Sequence, residues 1–424
     1  MIFYSKANNF LYIKKKQYFC AILKCNFRIA QKYIINMIKR ILDSELMRLA
    51  KAFSVIILTG PRQSGKTTLC RAVFPEYHYI NFEDFSIMEK VKSAPKEFLM
   101  QYSGGLIIDE VQRMPELFSY IQIVSDEHPD YRYVLTGSNN FTLMERITQS
   151  LAGRAAILTL LPLSLVELGG AQEWPTDDLL LRGGYPAVWG NGKDPYDVYG
   201  NYYSTYIERD LRQLVNIKDL SIFQQFVRLA AGRVGCEVNA ASFSAELGVS
   251  AVTIANWFSV LEASYITFKL PPYFRNIGKR IVKSSKLYFH DTGLACYLLG
   301  IRTTEQLQVH PLRGQLFENM VVSEFIKRCY NSGERPNLFF YRDSQQKEVD
   351  IVEERTFRRL DAYEIKSARH YNTAFESGLV YFRKLFGDEV ESTQVLYDGD
   401  EELSTQPIGY RNFRRFFADG QIPQ

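Results

Sequence analysis

The chain has 424 residues, 46% hydrophobic and 23% charged, a balance that fits a soluble globular protein of two to four domains. Its longest apolar run, residues 155–168, is too short to span a bilayer and contains Pro162, so no membrane segment is expected. The formal net charge of +4 comes from the first 36 residues; the rest carries 44 basic against 47 acidic groups, which excludes a large positive field over the body.

Residues 1–36 hold Lys6, Lys14, Lys15, Lys16, Lys24, Arg28 and Lys32 and no acid. Such a tail suits a targeting peptide, or a nucleic-acid arm with Phe10, Tyr12, Tyr18 and Phe19 interleaved. The composition favours a third reading, a start assigned too far upstream, with Met37 the true start. Six cysteines without a CxxC pair point to reduced thiols and a cytoplasmic location.

"SVIILTGPRQSGKTTLCRAVF" (54–74) reads as a buried strand, a glycine loop and a helix start. Gly60, Gly65, Lys66 and Thr67 fill the spacing of a phosphate-binding loop. The glycines let backbone N–H groups turn towards phosphate oxygens. Lys66 would reach the β and γ phosphates of ATP, and Thr67 would offer a hydroxyl to Mg²⁺. Pro61, Arg62, Gln63, Ser64 and Thr68 complete the expected ATP-binding segment.

"GGLIIDEVQ" (104–112) reads as a buried strand ending in two acids. Asp109 is placed to hold Mg²⁺ through water, and Glu110 to orient and deprotonate the attacking water. A third strand, "YRYVLTGSNN", ends in small polar residues, and Ser138, or less favourably Asn139, would contact the γ-phosphate or the water. Arg154, in "LAGRAAILTL", is the expected arginine for transition-state charge, in cis or from a neighbouring subunit in an oligomer; Arg209 is a weaker candidate.

This order of motifs matches a P-loop ATPase of the AAA+ type. Residues 37–366 resemble bacterial and archaeal ATPases that join an AAA module to a domain of unknown function, DUF4143. The resemblance rests on "LTGPRQSGKTTL", "LIIDEVQRMPELF", "LTGSNN", "LAGR", "LPLSLVEL", "LRGGYP", "YIERDL" and "LYFHDTGLACYLLG". It implies an α/β protein. Ser64 departs from the hydrophobic residue common before the second glycine of the loop, with no consequence for phosphate binding.

Residues 171–235, with "YYSTYIERDLRQLV" and "FQQFVRLAAGRVG", have helical spacing and read as a lid or linker. Residues 242–291 read as a winged helix: Gly248 in the turn, Ile254, Phe258 and Leu261 as the buried stripe, "YITFKL" and "SKLYFHD" as wing strands. Its second helix offers DNA only Thr253 and Asn256, whereas Lys279, Arg280, Lys283 and Lys286 of the wing could track phosphates. Docking to a protein partner is the alternative use.

"GQLFENMVVSEFIKRCY" (314–330) is amphipathic, with Leu316, Met320 and Phe325 on one face and Glu318 and Glu324 for another. Three strands follow: "NLFFYRD", "EVDIVEE" and "LDAYEIKSA". Glu364 and Lys366 share a strand face, and a hairpin would bring Asp350 to them. The set Asp350, Glu364, Lys366, with Glu318 on the preceding helix, resembles the PD-(D/E)xK nuclease fold, with Val349 where that family often has Pro. Two carboxylates would hold Mg²⁺ there.

The expected organisation is a basic tail (1–36), an AAA+ P-loop ATPase core (37–170), a helical lid (171–235), a winged-helix domain (236–300) and a restriction-endonuclease-like α/β domain (301–424). The expected function is an ATPase coupling nucleotide state to the last two modules on DNA. The alternative is a signalling switch for a protein partner, with the nuclease-like fold reduced to a docking surface.

Overall fold

A computed structural model describes residues 38–137, 151–169, 173–190, 193–211, 219–275, 284–403 and 407–420, the side chains of 208–211 excepted. The tail, Ser138, Asn139, the Arg209 side chain, Lys279, Arg280 and Lys283 lie outside the described residues. The chain divides into Met1–Lys39 and Arg40–Gln424, and the elements below all belong to the second unit.

Helix α1 (Leu42–Ala52) leads into β1 (Val55–Thr59), and helix α2 (Lys66–Val73) follows the glycine loop. Strands β2 (His78–Asn81), β3 (Leu106–Asp109), β4 (Tyr133–Thr136) and β5 (Ala155–Thr159) join β1 in one sheet of order 2-3-4-1-5. All its pairings are parallel. Every residue of β1 is buried because both faces are covered. Val55 and Ile57 pack with Leu106, Ile108 and Ile121, while Ile56 and Leu58 pack with Leu42, Leu46 and Leu69. A parallel sheet covered on both faces calls for such a continuous apolar run rather than an alternating one. This is the parallel sheet of a P-loop ATPase core.

The expected helical stretch after residue 171 contains helices Thr176–Arg182, Pro195–Tyr202 and Leu220–Gly232. Over "YYSTYIERDL" the α-helix stops at Tyr202 and the backbone continues with π-helical turns through Leu211. The wider turn brings Tyr202, Tyr203, Tyr206 and Ile207 all into the apolar interior.

Helices α3 (Ala240–Leu247) and α4 (Ala251–Ala263) meet at Gly248, whose φ of 68° suits a residue without Cβ. Asn239 and Ser250 cap their N-termini with side-chain oxygens. Ile254, Phe258 and Leu261 are buried, and β6 (Thr267–Leu270) pairs antiparallel with β7 (Lys286–Phe289).

The last region opens with the long helix α5 (Arg313–Asn331), followed by β8 (Leu338–Arg342), β9 (Glu348–Thr356) and β10 (Arg359–Lys366) as an antiparallel meander. Helix α6 (Ser377–Phe386) then crosses to β11 (Val390–Tyr397), which runs parallel to β10; β12 (Gly409–Asn412) continues the sheet and helix α7 (Phe413–Asp419) follows. One face packs Leu360 and Val395 against Leu379 and Phe382 of α6. The other packs Ile351 and Tyr363 against Phe325 of α5 and Phe416 of α7. That second face belongs to an apolar interior running from Leu161 to Phe417, shared by the helical stretch, the α3–α4 pair and the C-terminal sheet.

Candidate functional site

The loop Gly60–Gly65 leaves the C-terminal edge of the parallel sheet and turns directly into α2. Gly60 has φ 139° and lies so close to the backbone just after β5 that a Cβ there would sit 2.2 Å from the Leu160 carbonyl oxygen. Gly65 has φ 96° and caps α2. Both glycines are therefore demanded by geometry as well as by spacing. Gln63, at φ 61°, takes the same left-handed backbone at the exposed tip. Ser64 is fully buried, with its hydroxyl donating to Pro61 O at 3.0 Å.

Lys66 Nζ donates to the carbonyls of Gly60 and Pro61 at 2.9 and 2.7 Å, within the loop that would surround the phosphates. Burial pushes its pKa down to about 8, against the pull of Glu110 and Asp109. Thr67 Oγ1 donates to Asp109 Oδ2 at 2.7 Å. Asp109 also accepts from the Tyr79 hydroxyl at 3.0 Å and from Thr136 Oγ1. A hydroxyl and a carboxylate in contact beside a helix N-terminus are hard oxygen donors suited to Mg²⁺, so the residues present fit a magnesium–nucleotide complex.

Glu110 follows Asp109 in the left-handed region, at φ 55° and ψ 40°, which swings its side chain out of the strand's alternation. Its carboxylate accepts from Gln112 Nε2. Arg62 stacks over the Tyr206 ring at 5.1 Å, so the loop touches the π-helical turn.

Arg154 is at the other edge. Ala155 pairs with Val55 at the start of β1, whereas the loop follows Thr59 at its end, about 13 Å away along the strand. Its guanidinium makes an exposed ion pair with Asp126 at 2.6 Å. A role for Arg154 in cis is therefore excluded by the strand direction, and only a neighbouring subunit's site remains open to it.

Four residues to which the motifs gave no role shape the site. Tyr79 and Thr136 hold Asp109 from the strands on either side. Tyr265, from the turn before β6, reaches Thr59 Oγ1 at 3.0 Å with its hydroxyl. Arg40, buried ahead of α1, donates to Ser64 O at 2.8 Å, to Leu161 O at 2.7 Å and to Glu167 Oε1 at 2.9 Å. Glu167 also accepts from the Ile41 and Ser164 backbone N–H groups. In the same segment Leu165 N–H donates to Glu324 Oε2 at 2.8 Å, and Lys327 Nζ donates to Leu163 O at 2.9 Å. A continuous polar strap thus runs from the phosphate loop to helix α5.

In the C-terminal sheet, Ile351 pairs with Tyr363, so Asp350 comes opposite Glu364 one step on. Lys366 Nζ lies 2.6 Å from Glu364 and 4.0 Å from Asp350. Burial and the neighbouring Asp350 raise the Glu364 pKa to about 8, although Lys366 opposes this. The four expected residues are brought together, but they do not fit a metal ion. Asp350 Oδ2 accepts from the Ile365 N–H at 2.8 Å, and Lys286 inserts its ammonium among the remaining carboxylates. Among the described residues no group of three or more His, Cys, Asp or Glu side chains is arranged to hold a metal. This also corrects the wing: Lys286 is buried in that cluster and is not free to track a DNA backbone.

An AAA-domain family model matches residues 52–169, a domain of unknown function, DUF8612, matches 174–305, and DUF4143 matches 313–412. Uncharacterized proteins of Mycobacterium bovis and Mycobacterium tuberculosis are each 32% identical over 329 residues, spanning 76% of this chain and 72% of theirs. The chain belongs to the family of AAA-domain proteins that carry DUF4143. Among solved structures, a Walker-type ATPase of Pyrococcus abyssi aligns at 15% identity and TM-score 0.45, over 62% of this AAA–DUF4143 chain and 96% of its own. A STAND protein of Pyrococcus horikoshii aligns at 11% identity and TM-score 0.27, over 69% and 48%. Among the described residues of the AAA–DUF4143 protein no helix is long and apolar enough to cross a membrane.

Proposed function

We propose that this protein hydrolyses ATP with Mg²⁺ and passes its nucleotide state to the C-terminal half. The observation that carries the reading is the convergence of Thr67, Asp109 and Thr136 beside the loop that holds Lys66. The loop N–H groups and Lys66 would bind the triphosphate, trading the Lys66 contacts to Gly60 and Pro61 for phosphate oxygens. Thr67 and Asp109 would hold Mg²⁺, which when bound neutralises phosphate charge. Glu110, once released from Gln112, would orient and deprotonate the attacking water. Ser138 would face the γ-phosphate, and Arg154 would act only in a neighbouring subunit of an oligomer.

Transmission is supported by the Arg40–Glu167–Glu324 strap and by the Tyr265–Thr59 contact. Helices α3 and α4 with the β6–β7 pair support a winged-helix module, and α5 followed by β8, β9, β10, α6 and β11 supports a nuclease-like one. One observation narrows the class of target. The outward residues of α4 are Ala251, Val252, Ala255, Asn256 and Ser259, without a cation. That face favours the second reading, a nucleotide-dependent switch for a protein partner, over direct action on DNA.

ATP turnover by the purified protein, with and without double-stranded DNA, tests both. Lys66→Ala should abolish nucleotide binding, while Glu110→Gln should bind ATP and not turn it over. Unchanged turnover in Glu110→Gln would move the base elsewhere, and strong stimulation by DNA would restore DNA as the target.

A further inference from the structure

The Lys286 side chain is 4% exposed, and three carboxylates from two other elements surround its ammonium. Glu318 of α5 lies at 3.1 Å, Glu348 of β9 is in direct contact, and Asp350 of β9 lies at 3.9 Å. Tyr288, on the same strand as Lys286, donates to Glu318 at 2.5 Å, and Arg342 reaches the other oxygen of Glu348 at 3.1 Å. The Phe340 ring lies beneath the ammonium at 5.5 Å.

The backbone fixes the lysine at that point. Lys286 bridges Glu237 on one side and pairs with Leu270 on the other, so β7 holds its Cα from both edges. Gly235 N–H donates to Leu287 O, and Leu287 N–H donates back to Cys236 O. From there the side chain extends into the carboxylates.

A buried ammonium is costly unless it is paired, and buried carboxylates are costly for the same reason. Each therefore satisfies the other. Burial works against the charge of Lys286, yet Glu318, Asp350 and Glu348 more than offset it and hold its pKa above the ordinary value. Glu364 and Lys366 make a second pair within the same cluster. Lys286, Lys366 and Arg342 thus offset most of the charge of Glu318, Glu348, Asp350 and Glu364.

We propose that Lys286 is a built-in cation that closes the C-terminal carboxylate cluster to divalent metal, and that removing its ammonium opens a metal site on Glu318, Glu348 and Asp350. The ligand class is a hard divalent cation, since only carboxylate oxygens would remain. The inference stands apart from the ATPase reading, because no residue of the phosphate loop takes part.

Thermal unfolding with Mn²⁺ as the probe, without nucleotide, tests it in the full-length protein. Lys286→Ala should melt below wild type because it leaves buried carboxylates uncompensated. Mn²⁺ should then raise its Tm by at least about 2 °C, and the rise should vanish in Lys286→Ala/Asp350→Asn. Wild type and Asp350→Asn should respond to Mn²⁺ alike. A Tm rise in wild type that Asp350→Asn removes would overturn the proposal, as would a folded Lys286→Ala protein that ignores Mn²⁺. Should Lys286→Ala not fold, Lys286→Met fills the space without the charge and is held to the same outcome; the comparison of wild type with Asp350→Asn decides independently of either.

Discussion

Thr67 Oγ1 and Asp109 Oδ2 stand 2.7 Å apart although 42 residues separate them. The contact exists because β3 lies one strand away from β1, across β4, and both strands end at the same edge of a parallel sheet. Asp109→Asn keeps an acceptor for Thr67 and so keeps the fold, but removes the negative charge. Turnover of ATP with Mg²⁺ should fall by about 10²–10³-fold, in the range of lost transition-state electrostatics. Binding of ATP measured without Mg²⁺ should change little, and calorimetry with EDTA present separates the two.

The next expectation concerns the start of the phosphate loop. Gly60→Ala places a Cβ 2.2 Å from the Leu160 carbonyl at a φ of 139°. Both the clash and the backbone strain act on the pairing of β1 with β5. A loss of about 3 kcal/mol or more is expected, read as a lower denaturation midpoint. Gly104→Ala, where a Cβ meets nothing within 4 Å, should stay within about 0.5 kcal/mol of wild type.

Arg40→Ala strips a buried carboxylate, Glu167, of its only ion-pair partner among the described residues. Breaking such a pair by removing one member costs about 3–5 kcal/mol. The Ser64 carbonyl also loses its donor, so ATP affinity should drop by about tenfold, the value of one hydrogen bond. Equilibrium unfolding and nucleotide titration of the same preparation check both. Wild-type affinity in a folded Arg40→Ala protein would remove the strap from the description of the nucleotide site.

Acid sensitivity should trace in part to His290. Burial and the nearby Lys327 ammonium lower its pKa to about 3, from an ordinary 6.5. Between those values the unfolded chain binds a proton that the folded one does not. Stability therefore rises with pH across that window and is lost as pH falls from 6.5 towards 3. The slope is at most about 1.4 kcal/mol per pH unit. His290→Phe keeps a ring beside Phe268, which packs at 4.7 Å, and should flatten the Tm profile between pH 6.5 and 4.5.

Local spacing carried much of the nucleotide site. Gly60, Gly65, Lys66 and Thr67 are near neighbours in the chain, and the loop's geometry needs those residue types at those positions. Asp350, Glu364 and Lys366 were legible for a similar reason, since two adjacent strands obey a simple alternation. Arg40 and Glu167 were not, because 127 residues separate them and the motif "LPLSLVEL" that contains Glu167 does not name its partner. Lys286 read as a surface cation among others of its hairpin. Its burial is decided by Glu318, Glu348 and Asp350, which reach it only through tertiary packing. Arg154 shows a different gap: a parallel sheet puts every strand's first residue at the edge away from the loop, a rule about direction that a motif order does not express.

Helix α5 holds Glu318 in the carboxylate cluster and Glu324 on the strap, six residues or about 9 Å further along one axis. Six residues also turn through roughly 240° at 3.6 per turn, so the two acids face different neighbours. A rigid rod gripped at two points behaves as a crankshaft. Twisting it to slacken one grip must strain or slacken the other, and no flexible connector lies between them to absorb the turn.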